Sequence, residues 1–528
     1  MNKEDINIIR YKKDLRVADH KPLYDACQQN LPLIALYIRE PSVMWYEDYS
    51  HFHQYRIQES LKDLKRSLDK INVTLLMIHS EAPEALDLVR QYYNINNIYS
   101  HEETGNNLTY MRDININSYC IKNQISFCEY PYNGVVRRLK SRDIRSQIHK
   151  NRVSEDLIPI PYISSKIDIN HDLINVSKKS FLNFIPAHKP NKRTRNSELP
   201  WEQAWVDRMN YFLSNAKSYK YALSRPEQSI YDSSRLSGYL TYGNLSIRQV
   251  YQATISKMQL LKDKANQNDS KLSQNNISQQ ILSLTAFCSR LFWRCHFIQK
   301  LESQPSIEFD NQNTCFDSIR SEANKQIIND RYNWQTGIPI IDAGMRCLHQ
   351  TWWINFRMRA TLVSFICNTC MQPRQSIWHM LAKLFLDYEP GIHYSQLQMQ
   401  SGTTGINAIR IYNPIKQLQD KDSDLIFVRK RISEINTLSN EEIYILWTEL
   451  WNNLLEYKWL NYPKSKINII QSNKNSRDII WWVKKTNESK MESKNIYQKL
   501  WSRKKPTKLI PKKTTKILIK KEKTLFDI

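Results

Sequence analysis

Apolar residues follow two different spacings along the chain, and the change between them separates two regions. Five short apolar runs predict β-strands within the first region, at 6–11, 31–38, 72–80, 96–103 and 124–130. Amphipathic stretches with apolar residues at helical spacing separate these runs, as between residues 51 and 71. This alternation predicts an α/β domain over residues 1–135, with a five-stranded parallel, Rossmann-like sheet covered by helices on both faces.

The rest of the chain is predicted to be a linker followed by a larger all-α domain. Residues 136–200 have little periodicity and several prolines, which predicts an interdomain linker. Helical spacing then continues over 201–500, where 284–300 predicts a buried helix and the polar stretch 261–280 predicts a surface loop or frayed helix. The Lys-rich tail, 501–528, has little to bury, so we expect it to be disordered.

Residues 351–417 place charged groups beside apolar runs. The first half has helical spacing and carries Arg359, whereas Pro390 and the glycines beyond it predict that the second half forms loops. Asp387 and Glu389 directly follow an apolar run. Because buried charges need partners or a ligand, we expect Asp387 to pair with Arg359. An ordinary salt bridge between domains would explain such a pair equally well.

A second polar segment, residues 231–243, is rich in hydroxyl groups. Ser233, Ser234 and Ser237 surround Arg235 near a predicted helix start. Hydroxyls, exposed backbone N–H groups and an arginine at a helix start are groups that bind a pyrophosphate. Taken alone, the serines are more typical of a simple helix N-cap.

Composition restricts the function classes. The net charge of +24 favours a polyanionic partner such as nucleic acid, although a codon bias toward Lys, Asn and Ile would also raise it. With no long apolar run, no signal peptide and nine scattered cysteines, we expect a cytoplasmic protein with no membrane association. Cys367 and Cys370 cannot complete a four-ligand site, so no metal is predicted. Neither a dinucleotide fingerprint nor a P-loop occurs.

These segments together resemble the photolyase/cryptochrome family, and the resemblance extends over most of the chain. The matching residues of the flavin-binding core are Trp353, Arg357, Arg359, Asp387, Glu389, Gln398, Ser401, Gly402, Arg410, Asn413 and Pro414. Further matches are the turn from Arg10 to Asp19, the S-R-L-S segment ending at Ser237, Trp293-Arg294, and the T-G-x-P-x-[VI]-D-A motif starting at Thr336. In the family, the turn that corresponds to Arg10–Asp19 has a structural role and lies near the interface of the two domains.

The resemblance implies a U-shaped FAD in the helical domain. It also implies that blue light drives an electron from reduced flavin to a pyrimidine lesion flipped out of damaged double-stranded DNA. The residues that it assigns to the cofactor are Tyr221, Ser233, Ser234, Arg235, Leu236, Ser237, Arg294, Phe356, Arg359, Asp387, Tyr388, Glu389 and His393. Those that it assigns to the reaction are Trp293, Met399 and His393. Many members also carry an antenna chromophore, a pterin or a deazaflavin, in the N-terminal domain, and the sequence leaves its presence here open.

The lesion pocket departs from the family pattern. Repair enzymes for cyclobutane dimers have Glu where Arg290 stands, Asn where Phe356 stands, and a second stacking Trp where Met399 stands. The paired histidines of the (6-4) repair class are missing as well. Trp293 is retained, and its ring is able to stack on a base.

The electron relay departs from the family pattern too. Leu397 and Arg374 stand at two positions of the usual three-tryptophan relay, and alternative stations are Trp353, Trp334 and Trp378. At the position that faces flavin N5, the register gives His393, whose charge would change near neutral pH and tune the flavin radical. A shift of the local loop would instead move His393 away.

Two function classes therefore stay open. One is a light-dependent DNA repair enzyme with unusual pocket chemistry, and the other is a cryptochrome-type photoreceptor without repair activity. The positive charge and Trp293 favour repair, whereas the lost Glu, Asn and Trp favour signalling. A third class, a flavin-free nucleic-acid-binding protein, conflicts with the intact cofactor shell.

Overall fold

The computed structural model describes most of the chain, namely residues 3–164, 166–182, 201–267, 271–320, 322–333, 335–448 and 460–500. Within these ranges, no helix is both long and apolar enough to cross a bilayer. The predicted disordered tail, the last 18 residues of the predicted linker (183–200), and Trp334 lie outside the described residues.

The N-terminal region forms a five-stranded parallel sheet, as the alternation of apolar runs predicts. The strands are β1 (Glu4–Tyr11), β2 (Leu33–Arg39), β3 (Thr74–His79), β4 (Tyr93–His101) and β5 (Ser126–Tyr130), in the order β3-β2-β1-β4-β5. In β1, Ile8 lies opposite Ile34 of β2 on one side and Ile98 of β4 on the other. Every residue of β2 is buried, as expected for a strand covered on both faces.

Helices cover both faces of this sheet. They span Lys21–Cys27, Pro41–Met44, His51–Asp69, Ala82–Arg90 and Asn107–Lys122. On one face, Leu61 and Leu64 pack against alternate residues of β1 such as Ile9. On the other face, Leu86 and Ile116 belong to a separate core with the intervening residues of the strands. The period of two along each strand therefore supplies two apolar faces.

Two helices occupy the described part of the predicted linker. They are Arg145–Ser154 and His171–Leu182. The second helix lies along β3, the edge strand of the sheet, and Ser177 Oγ accepts a hydrogen bond of 2.9 Å from the Met77 N–H. An edge strand exposes unpaired backbone groups, and this helix covers them.

The C-terminal region is helical, as predicted. Between residues 202 and 303, its α-helices are Glu202–Asn215, Tyr219–Ala222, Pro226–Asp232, Ser237–Tyr242, Ile247–Asn266 and Lys271–Ser303. Those that follow are Lys325–Tyr332, Pro339–Thr351, Phe356–Ser364, Trp378–Leu384, Pro390–Ser401, Pro414–Lys421, Ile426–Arg431, Asn440–Ile445, Ile469–Lys485 and Asn487–Leu500. Their largest core gathers residues from about 300 to 469.

The structure decides one local alternative in this region and contradicts one local prediction. For residues 261–280, predicted as a surface loop or a frayed helix, the structure shows helix at 261–266 and 271–280. Pro390 does not end a helix but opens the helix Pro390–Ser401, because proline at the first helical position loses no hydrogen bond. Gly391 permits close packing there, since an added Cβ would lie 2.5 Å from the Cα of Ile298.

The two regions meet at the turn that follows β1. Leu15 N–H donates to the carbonyl of Tyr242 at 3.2 Å, and Arg16 Nη1 donates to the carbonyl of Gly243 at 3.1 Å. Gly243 has a φ of +70°, and a Cβ there would lie 2.2 Å from the carbonyl oxygen of Lys13. Only glycine fits both conditions. The turn from Arg10 to Asp19 therefore lies at the interface, as the resemblance implies.

Candidate functional site

A cavity opens in the helical region between the hydroxyl-rich segment and the predicted ion pair. It has a volume of about 270 Å³, and an adjoining cavity of about 80 Å³ shares Arg359 and Asp387 as wall residues. Helices Lys271–Ser303, Phe356–Ser364 and Pro390–Ser401 supply the walls. Segments that are far apart in sequence therefore face one space.

The hydroxyl-rich segment forms a tight turn at one end of the cavity. Ser233, Ser234, Arg235, Leu236 and Ser237 all line it. Arg235 adopts a left-handed backbone conformation with φ of +56°, which turns the chain into the helix that begins at Ser237.

This turn presents one unused hydroxyl to the cavity. Ser233 Oγ is buried and has no hydrogen-bond partner within the described chain. The Arg235 guanidinium lies 3.8 Å from the centre of the Trp353 ring, which fixes it against the cavity wall.

The predicted ion pair forms on the wall of the same cavity, in contact with this turn. Arg359 Nη1 lies 2.9 Å from Asp387 Oδ1, and Nη2 lies 3.2 Å from Oδ2. Burial acts to raise the pKa of Asp387, but the charge of Arg359 and hydrogen bonds from Arg359 and Ser237 hold it below its ordinary value. Ser237 therefore joins the hydroxyl-rich segment directly to the pair, and the predicted partnership of Arg359 with Asp387 is confirmed.

A second ion pair lies beside the first. Arg294 Nη2 is 3.0 Å from Glu389 Oε2, and it also donates to the carbonyl of Leu240 and to Thr241 Oγ1 at 3.3 Å. Trp293, the neighbour of this arginine, lines the cavity. Glu389 itself lines the smaller cavity together with Tyr388.

The cavity wall also carries further aromatic and cationic groups. Phe356 is 38% exposed there, and Arg290 and Arg357 line the same wall. Burial is the main effect that lowers the pKa of Arg290; Tyr219 acts to raise it, and the charge of Arg357 lowers it further. The two guanidinium groups thus lie close enough to interact.

Two predicted site residues do not line either cavity. Tyr221 is 55% exposed, and the Arg225 guanidinium lies 3.8 Å from its ring centre. Because residues two apart point to opposite sides of a helix, Tyr219 lines the cavity and Tyr221 faces away. Met399 is 8% exposed and lies outside both cavity walls, between the lining residues Gln396 and Gln400 of its helix.

His393 lines the smaller cavity but does not behave as expected. Its Nε2 lies 2.9 Å from the carbonyl of Trp378, and its ring packs against Tyr388 with the ring centres 5.2 Å apart. Burial lowers the pKa of His393 to about 3, so the ring is neutral at pH 7. The expectation of a charge change near neutral pH is therefore wrong, because burial disfavours the charged form of the imidazole.

Leu397 and Arg374, the two residues at relay positions, have different surroundings. Leu397 lines the smaller cavity, and the Arg374 guanidinium lies 5.3 Å from the ring centre of Trp378. Trp378 contacts Tyr394 edge to face at 6.0 Å between ring centres, and Tyr394 contacts His393 at 5.4 Å. An aromatic series therefore runs from the smaller cavity to Trp378.

Unused polar atoms on the walls indicate what ligand the cavity fits. Besides Ser233 Oγ, the buried atoms Gln396 Nε2 and Gln400 Oε1 make no hydrogen bond within the described chain. Buried polar atoms are nearly always hydrogen-bonded in folded proteins, so these three atoms are available to hydrogen-bond a ligand. A hydroxyl at one end and a free amide donor and acceptor near the two ion pairs fit a flat heteroaromatic ring joined to phosphates.

One cluster of potential metal ligands occurs among the described residues, and hydrogen bonds account for it. Asp14 Oδ2 lies 3.0 Å from His20 Nε2 and 2.7 Å from His101 Nδ1. His20 Nδ1 accepts the Leu23 N–H at 3.1 Å, which places the ring proton on Nε2. That nitrogen is therefore a donor to Asp14 and does not offer a lone pair to a metal ion.

The crevice beyond the carboxyl ends of β1, β2 and β4 is filled by ion pairs. Arg10 and Lys12 contact the two oxygens of Asp113 at 2.9 and 2.6 Å, and Arg112 contacts Glu40 at 3.3 Å. Parallel sheets bind ligands at this position. The remaining cavity is about 40 Å³, far smaller than the cavity of about 270 Å³ in the helical region. The crevice therefore does not fit a pterin or a deazaflavin.

Sequence reasoning missed several residues that contact the site. Tyr219 and Gln396 line the cavity, and Asp48 and His53 reach it from the N-terminal region through Tyr388 and Phe385. The spacing of Tyr219 within its helical pattern was the available signal for that residue. Nothing in the sequence pairs residue 48 with residue 388, because 340 residues separate them.

The fold and the cavity define an FAD-binding protein with an α/β domain and a helical domain. Residues 8–139 match the family model of DNA photolyase, and residues 287–481 match that of the FAD binding domain of DNA photolyase. The chain belongs to the photolyase/cryptochrome family, and FAD is its cofactor.

Known proteins are similar over almost the whole chain. The deoxyribodipyrimidine photo-lyase of Buchnera aphidicola subsp. Acyrthosiphon pisum is 25% identical over 500 residues, which cover 89% of this chain and 95% of the relative. The crystal structure of Synechocystis sp. PCC6803 cryptochrome superposes with a TM-score of 0.74 at 20% identity, covering 91% of this chain and all of that one.

A second similar solved structure is that of an archaeal photolyase from Sulfolobus tokodaii with two FAD molecules. Its TM-score is 0.70 at 20% identity, and the match covers 90% of this chain and 99% of that chain. At this level of identity, the likeness of the two solved structures establishes the fold alone.

Proposed function

We propose that the chain is an FAD-dependent, light-driven DNA repair enzyme that acts on a pyrimidine lesion by photoinduced electron transfer. The observation that carries this proposal is one continuous cavity that has the Ser233–Ser237 turn at one end and Trp293 with a cationic wall beside it. The match to a deoxyribodipyrimidine photo-lyase over 89% of the chain supports it.

In this proposal the turn and the ion pairs hold the cofactor. Ser233, Ser237 and Arg235 bind the phosphates, and the Arg359–Asp387 pair orients the ring system. When bound, the flavin supplies the light-driven one-electron chemistry. The neutral ring of His393 at the smaller cavity excludes water and adds no charge beside the cofactor.

The remaining wall residues receive the substrate. Trp293 and Phe356 offer aromatic faces to a flipped base, and stacking of this kind is tolerant of sequence. Arg357 and Arg290 bring positive charge to the same wall, which suits the phosphates of damaged double-stranded DNA. Met399, buried outside the cavity, has no part in stacking in this arrangement.

A lesion assay tests the proposal. Ultraviolet-irradiated DNA is incubated with purified protein under blue light or in the dark, and lesion loss is measured. We expect loss only in the light, reduced in Trp293→Ala and abolished in Arg359→Ala, with the exposed pair Lys65 and Asp69 supplying a surface control in Lys65→Gln. No lesion loss from any substrate in the light would contradict the proposal.

The second candidate is a cryptochrome-type photoreceptor without repair. Arg290 and Phe356 on the cavity wall favour it, because a guanidinium and a phenyl ring cannot make the hydrogen bonds of the Glu and Asn found in repair enzymes for cyclobutane dimers. This candidate predicts flavin photoreduction with full cofactor content but no lesion loss. The same preparation therefore separates the two functions.

A second chromophore in the N-terminal domain stays a prediction. We propose that any such pigment lies in the cleft of about 490 Å³ between the sheet edge and residues 152–159, where Tyr24, Tyr130 and Tyr132 form walls. The crevice at the strand ends leaves no room. Energy transfer to the flavin from an added pterin or deazaflavin, lost in Tyr24→Ala, is the expected result, and no binding of either pigment would contradict it.

We also propose a cytoplasmic location. The nine cysteines of the chain all lie within the described residues, and none of them forms a disulfide. Free thiols of this number are typical of a reducing compartment. Expression of a fluorescent fusion in a homologous host, followed by fractionation, tests the location.

A further inference from the structure

Tyr388 lies between the two carboxylates that pair with cavity arginines. Asp387 pairs with Arg359 and Glu389 pairs with Arg294, so the turn that carries Tyr388 sets both ion pairs. Tyr388 lines the smaller cavity, and its hydroxyl reaches the N-terminal region. It donates to Asp48 Oδ2, a carboxylate of the N-terminal region that is 0% exposed.

Asp48 is itself held from its own side of the interface. Asn106 Nδ2 donates to the same oxygen, Asp48 Oδ2, at 3.1 Å. Asn106 is the N-cap of the helix Asn107–Lys122, where its side chain accepts the Thr109 N–H at 3.1 Å. The carboxylate is therefore anchored to a helix of the α/β domain and does not depend on the cavity for its position.

A second residue of the N-terminal region braces the same turn. His53 Nε2 lies 2.8 Å from the carbonyl of Phe385, and its ring stacks on Tyr388 with centres 6.1 Å apart and planes 20° apart. Burial lowers the pKa of His53 to about 4, so the neutral ring donates this hydrogen bond at pH 7. Both ends of the turn are thus tied to the other domain.

We propose that Asp48 is a positioning residue for FAD, which acts through Tyr388 by holding the turn that carries Asp387 and Glu389. The N-terminal domain would then set the affinity of the helical domain for its cofactor. This inference rests on the proposed position of FAD beside the Arg359–Asp387 pair. Among the described residues, hydrogen bonds from Tyr388 and Asn106 hold Asp48, and no arginine pairs with it. Burying a carboxyl group in this way is costly, and a function in cofactor binding accounts for it.

The chain contains a matched pair that serves as a control. Asp342 is also fully buried, and it accepts a hydrogen bond of 2.6 Å from the hydroxyl of Tyr462, 120 residues further on. Neither residue lines the cavity. Loss of this bond should destabilise the fold to a similar degree without moving the carboxylates of Asp387 and Glu389.

The experiment measures the dissociation constant of FAD, by flavin fluorescence, for apoprotein of Asp48→Ala, Tyr388→Phe and the double variant. We expect each single variant to weaken FAD binding about tenfold. The double variant should bind FAD as tightly as the weaker-binding single variant, because both substitutions remove the same contact between Tyr388 and Asp48. Asp48→Asn retains an oxygen that accepts the Tyr388 hydroxyl, so it should restore most of the affinity. Asp342→Ala and Tyr462→Phe should lower Tm and leave the FAD affinity within twofold.

Three results decide between the inferences. If Arg359→Ala leaves FAD affinity unchanged, the proposed position of FAD fails, and the role of Asp48 fails with it. If Arg359→Ala weakens binding but Asp48→Ala and Tyr388→Phe match the Asp342 and Tyr462 controls, only the positioning role is overturned. Additive effects of the two substitutions would also overturn it. If Asp48→Ala does not fold, Tyr388→Phe and Asp48→Asn provide the same comparison.

Discussion

Arg359 and Asp387 lie 28 residues apart in the chain and make two contacts, at 2.9 and 3.2 Å, on the wall shared by the two cavities. The arginine also donates through Nε to the carbonyl of Ile354 at 2.8 Å. Its guanidinium lies 4.3 Å from the centre of the Phe385 ring, which excludes water from one side. The pair is therefore pre-formed, and a bound ring system would meet it without rearrangement of the helices.

The first prediction concerns acid. The pKa of Asp387 is held below its ordinary value, so its contribution to stability is present above the unfolded value, about 4, and is lost as pH falls through the lower folded value. Asp387→Asn should remove that part of the acid dependence and weaken FAD binding by roughly tenfold or more. Acid unfolding followed by circular dichroism checks the first effect and flavin fluorescence the second. Unchanged acid unfolding in the variant would contradict the assignment.

The second prediction separates the two ends of the cofactor. Ser233→Ala removes the unused hydroxyl at the turn and should weaken FAD binding about tenfold, the effect of one lost hydrogen bond to a charged group. Riboflavin has no phosphate, so its affinity should stay the same in the variant. Equal loss for FAD and riboflavin would place the ring system, and not the phosphates, at this turn.

The third prediction concerns DNA. Arg357 lines the cavity wall, and its guanidinium lies 5.2 Å from the ring centre of Tyr412. Arg357→Gln should lower the slope of log affinity against log salt by about 1, because one phosphate contact is lost. Lys65→Gln makes the same change in net charge at an exposed position outside the cavity lining and should leave the slope unchanged. Equal slopes in both variants would show that Arg357 makes no contact with a DNA phosphate.

The fourth prediction concerns lesion recognition. Trp293→Ala should lower affinity for lesion-containing DNA by about 1–3 kcal/mol and leave undamaged duplex binding nearly unchanged, since only a flipped base reaches the cavity. Trp293→Phe should retain part of the preference because it keeps an aromatic face. Electrophoretic mobility shifts with matched damaged and undamaged duplexes measure both values. An equal loss on the two duplexes would speak against a flipped base at Trp293.

The fifth prediction concerns pH and the domain interface. Burial is the main cause that raises the pKa of Glu308 to about 7; the Asn107 N–H acts to lower it, and Asp48 adds to the rise. The contribution of this carboxyl to stability is thus full below its unfolded value, about 4.5, and is lost as pH rises through about 7. Glu308→Gln should flatten Tm over this range. A wild-type Tm that does not fall between pH 5 and 7.5 would contradict it.

Local sequence patterns were sufficient for much of this molecule. Apolar runs predicted all five strands. The physical reason is clearest for β2, which is buried throughout and needs apolar side chains on both faces, whereas the residues of β5 are exposed or half-buried. The Arg359–Asp387 pair followed from the need of a buried carboxylate for a partner. Pro390 was misjudged, since the same residue that interrupts a helix interior is favoured at its first position, and only packing against Ile298 shows which applies.

The sequence by itself determined the strands, the helical region, the hydroxyl-rich turn and the charges that bound the cavity, because each depends on neighbours along the chain. Only the tertiary structure decided that Tyr219 faces the cavity in place of Tyr221, that His393 is too deeply buried to titrate near pH 7, and that Asp48 meets Tyr388. Helical spacing shows only that Tyr219 and Tyr221 point to opposite sides. Which of them faces the cavity, how deeply His393 is buried and which residue meets Tyr388 depend on how distant segments pack together.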